Sequence, residues 1–444
     1  MRKYFTAFIA FGFLAVIMTF VCIVSFKPID SLMKPPMSSG ENREILLAFE
    51  EALDKEYKLR VPLSGEYRSS FISEDLNGDG QEEIIVLYST EDEVDIVKIS
   101  YMMKKDGEWK VLSGLESSYS EVHQVKFSDI DNDGTMEMLV GWTVYNNDLS
   151  RHLNVYKIPY EDNNDLKSIY SSPYLMFETL DIDSNGVSDI AIFEATDEGT
   201  VLSYNRFTNG AIKKEATVAL DSSVYTVYNL SYDNGAKNNG LRMYVDSYKI
   251  DSGIITECIY FDKSDKQFRK VESDGISVLS SRFTGVTCQD VNGDGLIEIP
   301  LEIPLDGSAV ITKVDSPSQK QDIIKWICLD ANGYDTVSYQ LIYNNNDFRI
   351  SFSEKWMDNV TVINNYIDGS VMFYSVSEGT RKELFELRYT STQLEEDSLD
   401  NKYKLLTETG KGKLFYVIYN SDRDLNINKY YLEKSVINNG GVMI

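Results

Sequence analysis

The 444-residue sequence predicts a mostly β protein: a β-propeller of about five four-stranded blades followed by a smaller α+β domain. Three observations lead there. A ten-residue acidic motif returns at near-constant spacing. Between its copies, apolar and polar residues alternate with the period of two that half-buried strands require. The chain also carries 29 Tyr and 20 Phe, residue types that favour pleated surfaces.

The elements follow in order. Residues 4–26 hold no charge over 23 positions, with Arg2 and Lys3 before them and Lys27 after. A bilayer-crossing helix takes about 20 apolar residues, whereas the apolar part of a cleaved signal takes about 7–15. Segment 1–27 is therefore read as a single-pass membrane anchor. Two alternatives stay open: a lipoprotein signal in which Cys22 is lipidated, although Thr19, Phe20 and Val21 lack the small side chains that such processing favours, and a plain secretory signal. All three place the bulk of the chain outside the cytoplasm, because the positive residues precede the apolar segment. Residues 28–40, with Pro28, Pro35 and Pro36, form a linker. Ser38 and Glu41 have capping-box spacing, and Ile45, Phe49, Ala52 and Leu53 follow at helical intervals, predicting an amphipathic helix in 41–60 that runs to about Tyr57.

From 61 to 340 the acidic motif governs. It reads DLNGDGQEEI from Asp75, DIDNDGTMEM from Asp129, DIDSNGVSDI from Asp181 and DVNGDGLIEI from Asp290, at gaps of 54, 52 and 109 residues. The last gap is double, so a further copy is expected near 235; there GAKNNGLRMYV keeps Asn239 and Gly240 but has Gly235 and Lys237 where acidic residues stand elsewhere. A strand-like segment precedes each loop, an apolar one follows, and two more strands meet around a turn. Four strands per unit and five units suit propeller blades better than a solenoid, whose repeats run shorter, about 20–47 residues.

Oxygen-bearing side chains occupy places one, three, five and nine of each intact loop. They are Asp75, Asn77, Asp79 and Glu83; Asp129, Asp131, Asp133 and Glu137; Asp181, Asp183, Asn185 and Asp189; Asp290, Asn292, Asp294 and Glu298. Glycine holds place six, at Gly80, Gly134, Gly186 and Gly295, where a sharp reversal calls for positive φ. The carbonyl of place seven, at Gln81, Thr135, Val187 and Leu296, is expected to face inward as well. So many hard oxygens suit Ca2+, which accepts six to eight, rather than zinc. Two carboxylates about 4 Å apart repel by about 4 kcal/mol at an effective dielectric of about 20, so a divalent cation is expected in each intact loop, about four per chain. Place twelve is Val86, Val140, Ile192 or Leu301, never the glutamate of an EF-hand, so the loop joins two strands and not two helices. At the degenerate loop, the Lys237 ammonium standing in for the metal and a solvated lysine are both open readings.

On these motifs the chain resembles the FG-GAP and VCBS-type repeats of calcium-binding β-propellers, related to the integrin α-chain head, over roughly residues 62–340. The resemblance implies calcium held by places one, three, five and nine with the carbonyl of place seven. The chain departs from that pattern in its degenerate copy and in having five units where seven blades are common.

The net charge of −27, from 70 acidic against 43 basic residues, disfavours nucleic acid and anionic lipid as partners and favours cations. Cys258, Cys288 and Cys328 are too scattered for a metal motif and are expected as buried free thiols, with one bridge among them left open. His123 and His152, each in a probable strand without a nucleophile motif nearby, are read as structural. Residues 341–444 lack the loop and read as a smaller α+β or β domain, with helix or loop at 392–401. The expectation is a membrane-anchored, extracytoplasmic, noncatalytic module that binds a protein or cell-wall glycan. The alternatives are an envelope polysaccharide hydrolase, with Glu354 and Asp358 near Trp356 as candidate groups, and a spacer that carries the C-terminal domain.

Overall fold

The computed structural model describes residues 40–438 except 54, 145–146, 160–165, 236–239, 252, 272–278, 313–318, 331–332, 344–347, 378, 410–411, 426, 429–431 and 433–435. The expected anchor, Cys22 and the linker up to Ser39 lie outside the described residues, as does Lys237. Among the described residues no helix is long and apolar enough to cross a membrane.

The described chain is mostly β, built from largely antiparallel sheets, the first four of which follow one another along the sequence. The first sheet holds β1 (Tyr57–Leu59), β2 (Phe71–Glu74), β3 (Glu83–Thr90), β4 (Glu93–Lys105) and β5 (Glu108–Glu116). The second holds β6 (Glu121–Ser128), β7 (Glu137–Val144), β8 (Asn147–Lys157) and β9 (Lys167–Pro173); the third holds β10 (Met176–Leu180), β11 (Asp189–Thr196), β12 (Gly199–Thr208) and β13 (Ala211–Ala219). The fourth, β14 (Val224–Asp233), β15 (Arg242–Lys249), β16 (Gly253–Asp262) and β17 (Gln267–Lys270), contains the degenerate unit. The intact loops at Asp75, Asp129 and Asp181 thus link β2 to β3, β6 to β7 and β10 to β11, and the one at Asp290 leads from the Gln289–Glu298 bridge into β18 (Ile299–Pro304).

Two compact units divide the chain, one running to Leu180 with Gly186–Ile192 and Asn205–Lys214, the other comprising Asp181–Asn185, Phe193–Tyr204 and Glu215 onward. In the first, the strand after each loop is buried on both faces: Ile85, Val86 and Leu87 of β3 and Leu139 and Val140 of β7 are fully buried. This is why these segments read as unbroken apolar runs and not as alternation.

In the second unit, β18 continues into a sheet with β20 (Asp322–Asp330), β21 (Gly333–Tyr343), β22 (Phe348–Phe352) and β28 (Val436–Asn438). The boundary expected at 340 falls inside β21. A last sheet of six strands takes β19 (Ala309–Ile311) from before that boundary, in parallel with β23 (Val360–Asn365), and adds β24 (Ser370–Ser377), β25 (Thr380–Thr390), β27 (Gly412–Ile418) and β26 (Lys404–Thr409). The polar stretch at 392–401 contains one short helix, Gln393–Asp397. Trp356, Phe373 and Phe385 pack in the core between these sheets, Phe373 stacking on Phe385 at 4.1 Å.

The amphipathic helix is real but shorter than its spacing suggests. It spans Glu41–Ala52 (α1), with Gly40 at φ 102° as its N-cap and no side-chain cap. Leu53 is extended, and Tyr57 belongs not to the helix but to β1, where it pairs with Thr90 at the end of β3. Burial of Leu59 against the first sheet outweighs one more helical turn. Phe49 docks the helix: it is fully buried, with ring centroids 5.1, 5.9 and 5.2 Å from Tyr57, Phe71 and Tyr88, all edge-on. Phe49→Ala is expected to cost about 3–5 kcal/mol, read as a lowered urea midpoint. A loss below 1 kcal/mol would show that the helix is not an integral part of the first sheet.

Candidate functional site

Each acidic loop is organised by its own backbone. The place-one carboxylate accepts from the amides of places five and six: Asp75 from Asp79 and Gly80 at 3.2 and 3.0 Å, Asp129 from Asp133 and Gly134 at 3.2 and 3.0 Å, Asp290 from Asp294 and Gly295 at 3.2 and 2.8 Å. Places three and five add Asx turns, in which Asn77 and Asp131 accept from the place-five amide and Asp79 and Asp133 from the place-seven amide. In the third loop the Asn185 amide donates to Asp181 at 2.8 Å. The place-six glycines have φ of 85°, 88°, 88° and 84°, as expected. Place four was not anticipated: Gly78, Asn132, Ser184 and Gly293 are all left-handed as well, at 72°, 58°, 54° and 78°. Only the residue types permitted there, Gly, Asn and Ser, hinted at it.

Place nine sets the chemistry. Glu83, Glu137 and Asp189 begin β3, β7 and β11, and Glu298 stands one residue before β18; all four are at most 2% exposed. The place-twelve residues Val86, Val140, Ile192 and Leu301 are buried in the strands that follow, so the loop ends where the sequence indicated. In three loops the place-nine carboxylate takes one amide, that of place two: Leu76 to Glu83, Ile130 to Glu137 and Val291 to Glu298, at 2.9, 3.1 and 2.8 Å. Asn77 supplies the second oxygen of Glu83 at 3.0 Å. The second oxygens of Glu137 and Glu298, both Oε1, are buried and meet no donor among the described residues. Burial pushes the carboxyl groups of Glu83, Glu137 and Glu298 up to about 7, and the neighbouring loop aspartates add to the rise.

Asp129, Asp131 and Glu137 bring one oxygen each within 4.8 Å of one another, and so do Asp181, Asp183 and Asp189. A buried anionic oxygen without a donor, facing other carboxylates, is the donor set of a hard cation and not of a hydrogen-bonded turn alone. The residues present fit Ca2+. The place-seven carbonyls of Gln81, Thr135, Val187 and Leu296 lie on the same loops.

The fourth unit replaces the motif with an ion pair. Asp233, whose side chain is fully buried, sits opposite Arg242 in the β14–β15 register and accepts from its Nε at 3.0 Å, from the Tyr244 hydroxyl at 3.0 Å and from the Gly235 amide at 2.7 Å. Place nine is Met243, fully buried and apolar. Counted from Gly235, Arg242 stands at place eight and Asp233 two residues before place one, so neither holds a ligand place. Ile297, at place eight of the last loop, also donates to Asp233 at 2.9 Å, and Met136, at place eight of the second loop, donates to the Leu76 carbonyl at 2.8 Å.

The remaining candidates lie outside the acidic loops. His123 packs between Ser64 and Tyr174, whose hydroxyl lies 3.0 Å from Nδ1, and His152 stacks beside Tyr119. Cys258 and Cys288 are buried free thiols and Cys328 is a half-buried one, with no bridge among them. Trp356 is fully buried, its indole N–H donating to the Leu425 carbonyl at 2.8 Å, so it offers no face to a sugar beside Glu354.

No protein-family model matches the chain, and no curated protein matches it. Among solved structures it is similar to Sqt1 of Saccharomyces cerevisiae (12% identity, 78% of this chain and 86% of that one, TM-score 0.34), to a putative 6-phosphogluconolactonase from Bacteroides uniformis (12%, 73% and 86%, 0.33) and to a rhamnogalacturonan lyase from Bacillus licheniformis (12%, 73% and 76%, 0.31). At these scores the likenesses carry no argument.

A carboxyl group held above its unfolded value binds more protons in the folded chain than in the unfolded one between about pH 4.3 and 7. In that window folding is favoured by low pH. The chelated protein is therefore expected to melt at a lower temperature at pH 8 than at pH 5.5, and Glu137→Gln combined with Glu298→Gln to flatten that slope. A steeper slope in the double variant would refute the assignment. Arg242→Met leaves Asp233 buried without its ion-pair partner and is expected to cost about 3–5 kcal/mol, equally with calcium and with chelator, in denaturant titrations.

Proposed function

We propose that the chain is a calcium-binding repeat protein of the FG-GAP or VCBS type, its sheets forming the blades of a propeller that is held at the outer face of a membrane by residues 1–27 and acts as a noncatalytic binding or scaffolding module. The observation that carries the metal is the buried oxygen of Glu137 and of Glu298 that no donor meets among the described residues. A group left so would ordinarily cost about 1–3 kcal/mol or more, and a divalent ion shared with places one, three and five relieves it. Four loops of the same design at regular spacing support a common ligand.

The module reading rests on where the acidic chemistry is used. The loop carboxylates are engaged by backbone amides and, in the first and second loops, by Asn77 and Lys157, and the two histidines are engaged in packing, which leaves rigid hairpins as the product of ion uptake. A protein or glycan of the cell envelope is the partner this reading implies.

Calcium at about 0.1–1 mM is expected to raise the melting temperature of the full-length chain and chelator to lower it, with about four ions bound per chain by equilibrium dialysis. Identical melting curves with calcium and chelator would sink the metal. For the module, full-length protein displayed on cells is expected to capture envelope material in calcium and to release it in chelator; turnover of a cell-wall glycan by the purified chain would overturn the noncatalytic reading.

A further inference from the structure

The second loop differs from the others in one respect that the motif does not show. It has four carboxylates at its ligand places, Asp129, Asp131, Asp133 and Glu137, where the first, third and last loops each have three and an asparagine. It also has a cation of its own. The Lys157 Nζ donates to Asp131 Oδ2 and to Asp133 Oδ2, at 2.7 Å each. These are the oxygens the backbone leaves over, because Oδ1 of Asp131 and of Asp133 already accepts an amide within the loop.

Strand register places the lysine there. Met138 pairs with Tyr156 across β7 and β8, which sets Lys157 level with Glu137 at the mouth of the loop. The same register in the first and last loops, Ile84 with Met102 and Ile299 with Ile327, sets Met103 level with Glu83 and Cys328 level with Glu298. Neither of those residues carries a positive charge. Among the first, second and last loops, the extra carboxylate and a lysine level with place nine occur together, in the second.

We infer that Lys157 is a tethered competitor for the cation of the second loop: its ammonium holds Asp131 and Asp133 in the metal-free chain and must be displaced when a divalent ion binds, so this loop fills at a higher calcium concentration than the first and last loops. The inference rests on the calcium reading proposed above. An ammonium and a Ca2+ cannot share the same two aspartates without strong repulsion at close range. The buried, donor-free Oε1 of Glu137, which Lys157 does not reach among the described bonds, is what still draws the ion in. The consequence is a graded response, in which the first and last loops stiffen first and the second follows as calcium rises.

The experiment is a calorimetric calcium titration of the full-length chain and of Lys157→Met, each also in a Glu137→Gln background, with Lys157→Arg as the variant that keeps the charge. The result expected is one weak site in the unmodified chain that tightens by about tenfold, a usual size of coupling between two bound groups, in Lys157→Met but not in Lys157→Arg. The gain should vanish with Glu137→Gln, and the chelated Lys157→Met protein should melt lower than the unmodified chain. Calcium uptake with unchanged affinities in Lys157→Met, or a gain that survives Glu137→Gln, overturns the role of Lys157 alone. No uptake by either protein overturns the calcium reading and this inference with it.

Discussion

A carboxylate buried at the start of a strand, or one residue before it, is the constraint on which the loops depend. Glu83, Glu137, Asp189 and Glu298 are drawn inside because the next residues, through place twelve, are core residues that cannot leave the sheet. The hydrophobic effect fixes the strand, and the strand drags an acid with it. What surrounds that acid must then be supplied locally, and the loop supplies it: an amide from place two, a glycine turn that aims two further amides at place one, and oxygens left over at places three and five.

The four intact loops and the degenerate one are solutions to a single electrostatic problem. In the fourth unit the place-nine acid is gone, replaced by buried Met243, and the remaining charge of Asp233 is met within the sheet by Arg242 and the Tyr244 hydroxyl. Burying an ion pair of this kind brings little net stability but is costly to break. In the first loop Asn77 answers Glu83, and in the second Lys157 answers two aspartates. In the fourth unit the charge is balanced within the sheet, by a guanidinium.

The loops also bear on one another. Met136 reaches the Leu76 carbonyl, and Ile297 reaches Asp233, both from place eight. A loop that loosened would release a backbone bond of its neighbour as well as its own, so order in one tip is linked to order in the next. This coupling is of the packing kind and needs no large motion.

The acidic motif alone determined where each intact loop ends and that its place-six glycine must be left-handed, because these follow from local rules: period-two burial, Asx turns and the φ that only small residues tolerate. Tertiary structure decided everything that depends on which strand lies beside which. Tyr57 left the helix for a strand because β3 was there to pair with it, the expected boundary at 340 fell inside β21, and Ala309–Ile311 joined a sheet formed some 50 residues later. Arg242 and Lys157 became the cations of their units for the same reason. Each is placed by cross-strand register, and register is a property of paired chains that no single stretch of sequence contains.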